Sequence, residues 1–184
     1  KAEFELLQEE NENLKNQLEF IKERKLTALQ AEIIGRGSNL YGNSFIINRG
    51  KSDGVQIGYP IFVQKGILIG KTVTVKENIS FVLLLNDNNS KVAASILNKE
   101  RTLGIVEGEL GLSIKMNLIP QNQEVTYNDI VITSGLEESV PRGLIIGTIH
   151  EINESSVELF KNASILPPID YFRNTTVSLV IPQQ

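Results

Sequence analysis

The spacing of apolar residues changes abruptly near residue 30, and this change limits the possible folds more than any other feature. Residues 1–30 contain no Gly or Pro and are rich in helix-tolerant Glu, Lys, Leu, Asn and Gln. From Ala31 onward the apolar period becomes two, and Gly-containing turns recur. The sequence therefore predicts one N-terminal helix followed by a body of β-strands.

Residues 1–30 carry a heptad repeat of the kind found in coiled coils. Its seam is formed by Phe4, Asn11, Leu18 and Lys25 at position a and by Leu7, Leu14 and Ile21 at position d. A polar Asn at position a costs stability but fixes the register, most often in a parallel two-stranded coil. Glu10 at g and Lys15 at the following e suit the same arrangement. We expect a homodimer through this seam, the alternative being an amphipathic helix that packs on its own domain.

Two large apolar residues of the helix lie off this seam. Leu6 and Phe20 both occupy position c, where a two-stranded coil usually has polar residues. Scattered apolar surface residues are one explanation. The other, which we favour, is a contact between the helix and a β-domain.

The β-body contains twelve strand-like segments and no second helical pattern. They are Ala31–Arg36, Ser44–Asn48, Pro60–Gln64, Ile67–Val75, Ile79–Leu85, Val92–Leu97, Thr102–Glu107, Leu112–Asn117, Ile130–Thr133, Leu144–Glu151, Val157–Phe160 continuing toward Ile165, and Thr175–Ile181. This number predicts two six-stranded β-barrels. Either the barrels are consecutive, or residues 79–151 form one barrel inserted into another made of residues 31–78 and 152–184. We favour the insertion, because the last strand can then pair with the first.

Composition excludes most catalytic chemistry. The chain has no Cys, one His and a net charge of −4, which argues against thiolate catalysis, Cys-type zinc sites and sequence-independent nucleic-acid binding. Two six-stranded barrels are also the architecture of chymotrypsin-like proteases, whose triad here would need Ser134, His150 and either Asp129 or Asp87. His150 follows the serine, whereas in those enzymes the histidine precedes it. We expect no enzyme, no cofactor and no metal site.

A series of motifs resembles one bacterial family over essentially the whole chain. The motifs are Glu12-Asn13-Leu14-Lys15, Ile46–Gly50 with Asp53–Val55, Gly66–Lys71, Leu83–Asp87, Asp129–Leu136 with the turn Thr133-Ser134-Gly135, and Pro141–Gly147. In this order they resemble MreC, the rod-shape-determining family, whose barrels are similar to the protease double barrel without a working triad. Two features depart from the family: the membrane helix is absent, and the chain ends soon after Pro182.

The resemblance implies a non-enzymatic scaffold of lateral cell-wall synthesis on the outer face of the cytoplasmic membrane, anchored by a helix upstream of Lys1. Its implied partners are MreD, MreB, RodA-type glycan polymerases and class B penicillin-binding transpeptidases. A helix that leaves a membrane does not readily fold back on its own first barrel. We therefore expect Leu6 and Phe20 to contact a β-surface of the other subunit. The alternatives are a periplasmic adaptor of an efflux or secretion system and a serine hydrolase.

Overall fold

The computed structural model describes residues 2–37, 42–155 and 157–182. The predicted domain ranges also include Lys1, residues 38–41, Ser156 and residues 183–184, which lie outside the described residues. Within that part of the chain the fold is mainly β, with a single α-helix at the N-terminal end.

The helix α1 spans Ala2–Arg24 and is shorter than the predicted coil of residues 1–30. Lys25 has φ of 52°, a left-handed conformation that ends the helix, and its N–H donates to the Lys22 carbonyl at 3.2 Å. The chain is already in a β-strand at Thr27, because that residue pairs with Ile181. The predicted helix end is therefore wrong by six residues, and Lys25 lies outside the seam.

Twelve β-strands follow the helix within the described residues. They are β1 (Thr27–Arg36), β2 (Ser44–Ile47), β3 (Pro60–Val63), β4 (Ile67–Val75), β5 (Ser80–Leu84), β6 (Lys91–Ile96), β7 (Leu103–Glu109), β8 (Ser113–Pro120), β9 (Ile130–Thr133), β10 (Ile145–Asn153), β11 (Phe160–Leu166) and β12 (Thr176–Ile181). Short 3-10 turns at Lys51–Asp53 and Tyr171–Arg173 interrupt the connections.

Six of these strands close into a barrel, which we call the closed barrel. Its strands pair in the order β4-β3-β12-β1-β2-β5, and β5 pairs again with β4. The last strand lies antiparallel to the first, with Ala31 opposite Val177. Because every strand has two neighbours, no strand edge is left open.

The other six strands lie outside the closed barrel, and we call them the outer strands. They pair in the order β11-β8-β7-β6-β9-β10, and β10 also pairs with β11. A single parallel residue pair, Ile145 with Ile67, joins β10 to β4 of the closed barrel. The backbone link between the two groups of strands is therefore narrow.

The predicted domain boundaries are wrong at two strands. Ser80–Leu84, which we assigned to the inserted part, pairs with β2 and β4 inside the closed barrel. The reason is the tight turn before it, where the Lys76 N–H donates to the Ile79 carbonyl. Phe160–Leu166, which we assigned to the first barrel, instead pairs with β8 and with its sequence neighbour β10.

The core is one continuous cluster of buried side chains that runs through both groups of strands. Its largest fully buried members are Phe62, Ile47, Ile61, Leu68, Ile69, Leu84, Leu85, Ile96, Ile114, Met116, Ile119 and Leu144. Among the residues that the structure describes, no helix is both long and apolar enough to cross a membrane.

Candidate functional site

The C-terminal half of α1 lies on the closed barrel through a buried polar network. Gln17 is 0% exposed, and its Nε2 donates to Asn13 Oδ1 at 3.0 Å. The Ser178 hydroxyl of β12 donates to Gln17 Oε1 at 2.5 Å, and the Gln64 N–H after β3 donates to Asn13 Oδ1 at 3.1 Å. Both ends of the Gln17 amide are therefore satisfied, as a buried amide requires.

Phe20 supplies the apolar part of the same contact. Its side chain is 8% exposed, and its ring centroid lies 5.4 Å from that of Phe62 in the barrel core. Gly66 lies beneath the ring with φ of +83°, and an ideal Cβ there would come within 2.3 Å of Phe20 Cζ. Only glycine suits both the backbone conformation and the close approach. Lys65 adds an ion pair to Glu19 at 3.3 Å on the exposed rim.

These contacts define one side of the helix, which we call the docking face: Asn13, Gln17, Phe20 and Arg24. The Arg24 guanidinium lies 5.7 Å from the Phe20 ring centroid and packs over Gly143. Residues at spacings of four, three and four lie on one side of an α-helix, since each residue turns the helix by about 100°.

The predicted seam lies on a different side, about 120° around the helix from the docking face. Phe4, Leu7 and Leu18 are 70%, 59% and 47% exposed, and Asn11 is exposed with them. Leu14 and Ile21 are half-buried. The seam face is thus largely free in the single chain, and its role in dimerisation stays a prediction.

The two residues predicted to contact a β-domain have different positions. Phe20 packs on the closed barrel of its own chain, so the expectation that its acceptor belongs to another subunit is wrong. Because the chain turns tightly at Lys25, β1 lies back beside the helix. β12 pairs with β1, and β3 pairs with β12, so these strands lie beside the helix as well. Leu6 points to the same side of the helix but lies nearer the N-terminus and is 66% exposed.

The contacts of Asn13 and Gln17 were not predicted: Asn13 enters only as part of the motif Glu12-Asn13-Leu14-Lys15, and the contact with a β-domain was inferred from apolar residues alone. One signal was available: Gln17 and Asn13 precede Phe20 by three and seven residues and therefore share its face.

The predicted family turn Thr133-Ser134-Gly135 begins a loop, residues 134–143, that we call the joint loop. Thr133 ends β9 and is fully buried. Its Oγ1 donates to the Pro141 carbonyl at 2.6 Å and accepts from the Leu144 N–H at 3.0 Å, so one side chain closes the loop at its base. Gly135 has φ of +78°, the left-handed region that favours glycine.

The structure does not bring Ser134 and His150 into a catalytic arrangement. The Ser134 hydroxyl accepts from the Leu136 N–H at 3.3 Å, while the exposed His150 ring packs 6.1 Å from Tyr127. Asp129 accepts from Thr126, and Asp87 accepts from the Asn43 and Asn89 N–H groups. Each of the four residues therefore serves a local contact.

One phenol is affected by its burial. Burial raises the pKa of Tyr171, which lies in the connection from β11 to β12. Within the described residues no group of three or more His, Asp or Glu side chains is placed to hold a metal ion. The contacts described above join α1, the closed barrel and the outer strands. The class of protein that they define is a β-barrel protein with an N-terminal helix packed on the barrel.

A comparison with family models identifies the class further. Residues 33–181 match the model described as rod shape-determining protein MreC, barrel core. The chain therefore belongs to the MreC family, as the motifs predicted.

Sequence relatives agree with this assignment. The chain is 30% identical over 171 residues to the cell shape-determining protein MreC of Listeria monocytogenes, a match that covers 90% of this chain and 58% of that protein. The chain thus spans about six-tenths of the length of the MreC proteins of Listeria monocytogenes and Bacillus subtilis, at 58% and 62%. The adaptor alternative finds no support in these matches.

Solved structures share the fold. A structure described as MreC superposes with a TM-score of 0.80 at 25% identity, covering 95% of this chain and 99% of the other. The major periplasmic domain of the cell shape-determining filament MreC gives a TM-score of 0.76 at 22% identity, covering 85% and 96%. A complex between penicillin-binding protein PBP2 and MreC from Helicobacter pylori gives 0.65 at 18%, covering 84% and 98%.

Proposed function

We propose that this chain is the extracytoplasmic part of a non-enzymatic scaffold that organises peptidoglycan synthases and so maintains rod cell shape. The observation that carries the proposal is the family match over residues 33–181. A periplasmic domain among the similar structures supports the location, and a PBP2–MreC complex supports a penicillin-binding transpeptidase as partner. MreD, MreB and RodA-type polymerases are further partners that the family suggests, and a membrane anchor upstream of Lys1 belongs to the same proposal.

The architecture that we infer is a double barrel on a dimeric stalk. The outer strands begin with β11 and end with β10, and these two strands pair with each other. This closing pair supports a second six-stranded barrel made of the outer strands. The exposed seam residues Phe4, Leu7 and Leu18 support a two-stranded coil. This arrangement suits a scaffold, because the stalk then holds two barrels that partners can bind.

The test is binding of the purified chain to the extracytoplasmic domain of a class B penicillin-binding protein, measured by biolayer interferometry. We expect saturable binding. Ser134→Ala and His150→Ala should bind equally well, because neither residue is required for chemistry. A fluorophosphonate probe should leave Ser134 unlabelled. Absence of binding would refute the transpeptidase partner, and labelling of Ser134 would refute the non-enzymatic role.

A further inference from the structure

The joint loop touches all three parts of the molecule. Its Ser134 N–H donates to the Ala93 carbonyl of β6 at 3.0 Å, which attaches it to the outer strands. Glu137 reaches Lys71 in β4 of the closed barrel, with Oε2 2.6 Å from Nζ. At its far end Gly143 lies beneath the Arg24 guanidinium of α1.

Within this loop, Glu137 links the closed barrel to the outer strands with both carboxylate oxygens. Oε2 accepts from Lys71, and Oε1 accepts from the Ala93 N–H at 2.7 Å. The Lys71 ammonium also donates to the Lys91 carbonyl at 2.7 Å. Both side chains of the pair are half-buried, so the charge-assisted hydrogen bonds are partly shielded from water.

The other ion pairs have a different distribution. In the part of the chain that the structure describes, they lie within the closed barrel, within the outer strands, or between α1 and the closed barrel. Among the ion pairs of the described residues, Lys71–Glu137 alone crosses from the closed barrel to the outer strands. The strand pairing between the two groups consists of a single residue pair, Ile145 with Ile67, which lies four residues from Lys71 along β4.

We propose that the joint loop sets the angle between the closed barrel and the outer strands, and that the Lys71–Glu137 pair is the latch that fixes this angle. Other contacts keep the two groups attached when the latch is removed: the Asn43 and Asn86 side-chain N–H groups donate to the Gly111 carbonyl at 2.7 and 2.9 Å, and the buried core continues through both groups. Loss of the latch therefore loosens the orientation and leaves the fold intact.

Paired electron-spin distance measurements test the latch directly. Because the chain has no Cys, Glu77→Cys in the closed barrel and Asn122→Cys in the outer strands give two unique labelling sites, both exposed. Labelled protein is diluted with excess unlabelled chain, so that only distances within one chain contribute. We expect Lys71→Met and Glu137→Ala each to broaden the distance distribution at least twofold, and the double variant to broaden it no further.

The matched control is Lys91→Met, which removes the Lys91–Glu107 pair inside the outer strands. It should leave the distribution at its original width. Glu137→Gln keeps an acceptor for the Ala93 N–H and should broaden the distribution less than Glu137→Ala. If Glu137→Ala fails to fold, Lys71→Met still decides the question. An unchanged width in Lys71→Met would overturn the latch, and so would an equal broadening in Lys91→Met.

Discussion

The two faces of α1 differ in polarity, and the more polar face is the one that is buried. The seam face carries most of the apolar residues of the helix, yet Phe4, Leu7 and Leu18 remain largely exposed in the single chain. The docking face carries Asn13, Gln17 and Arg24 around one aromatic ring, and Gln17 is completely buried. A heptad pattern therefore shows which residues are apolar but not which face is covered within the chain.

The difference has a physical basis. A polar face can be buried where every donor and acceptor finds a partner, and Gln17 meets that condition through Asn13 and Ser178. An exposed apolar face is typical of a surface that contacts another molecule. The docking face attaches α1 to its own barrel, and association of the seam face with another chain stays a prediction.

The largest expected effect concerns the seam face. Replacing Leu14 and Leu18 by Glu places four charges in the proposed two-stranded core, which should raise the dimer dissociation constant by at least about a hundredfold. Analytical ultracentrifugation measures the change, and circular dichroism should show that the β-body stays folded. Glu9→Gln, an exposed change at the outer heptad position f, is the control. Unchanged dimerisation in the double variant would contradict the seam.

The next effect concerns the apolar part of the docking face. In the monomeric Leu14→Glu, Leu18→Glu background, Phe20→Ala should lower the free energy of unfolding by about 3 kcal/mol, because it empties the space over Phe62 and Gly66. Urea denaturation measures this loss. Phe4→Ala, at a residue 70% exposed, should change it by less than about 0.5 kcal/mol. Equal effects at the two positions would show that the helix is not held by its docking face.

The polar network should have a somewhat smaller effect. Gln17→Leu keeps the side-chain volume but leaves Asn13 and Ser178 without their shared partner, at a cost of about 2 kcal/mol. Hydrogen exchange adds a local measurement, because the Gln64 N–H donates to Asn13 and should lose protection. Gln8→Leu, at an exposed position of the same helix, is the control. Unaltered protection at Gln64 would mean that Phe20 alone holds the helix.

Sequence patterns predicted much of this molecule and failed for identifiable reasons. Alternation located twelve strands, and the motifs identified the family. The helix end was missed, because Leu26 and Leu29 continue an apolar spacing that β1 also accommodates. The alternation of apolar and polar residues does not encode the turns and close contacts that decide which strands pair. The predicted domain boundaries are therefore wrong at β5 and β11. Of the docking face only Phe20 was predicted to make a contact, because the burial of Gln17 and the half-burial of Asn13 depend on Ser178 and Gln64 opposite them.

The smallest expected effect is at Leu6, and it separates the two tasks of the helix. Leu6 lies on the same side as the docking face but beyond the barrel, and it is 66% exposed. In the monomeric background, Leu6→Gln should therefore change the free energy of unfolding by less than about 0.5 kcal/mol. In the dimeric protein we expect the dissociation constant to rise by roughly tenfold, because partial burial of the two symmetry-related Leu6 side chains contributes about 1.5 kcal/mol in total. Sedimentation of the variant beside the unmodified chain measures this shift. If the dissociation constant does not change, Leu6 is an exposed surface residue and the seam alone forms the dimer.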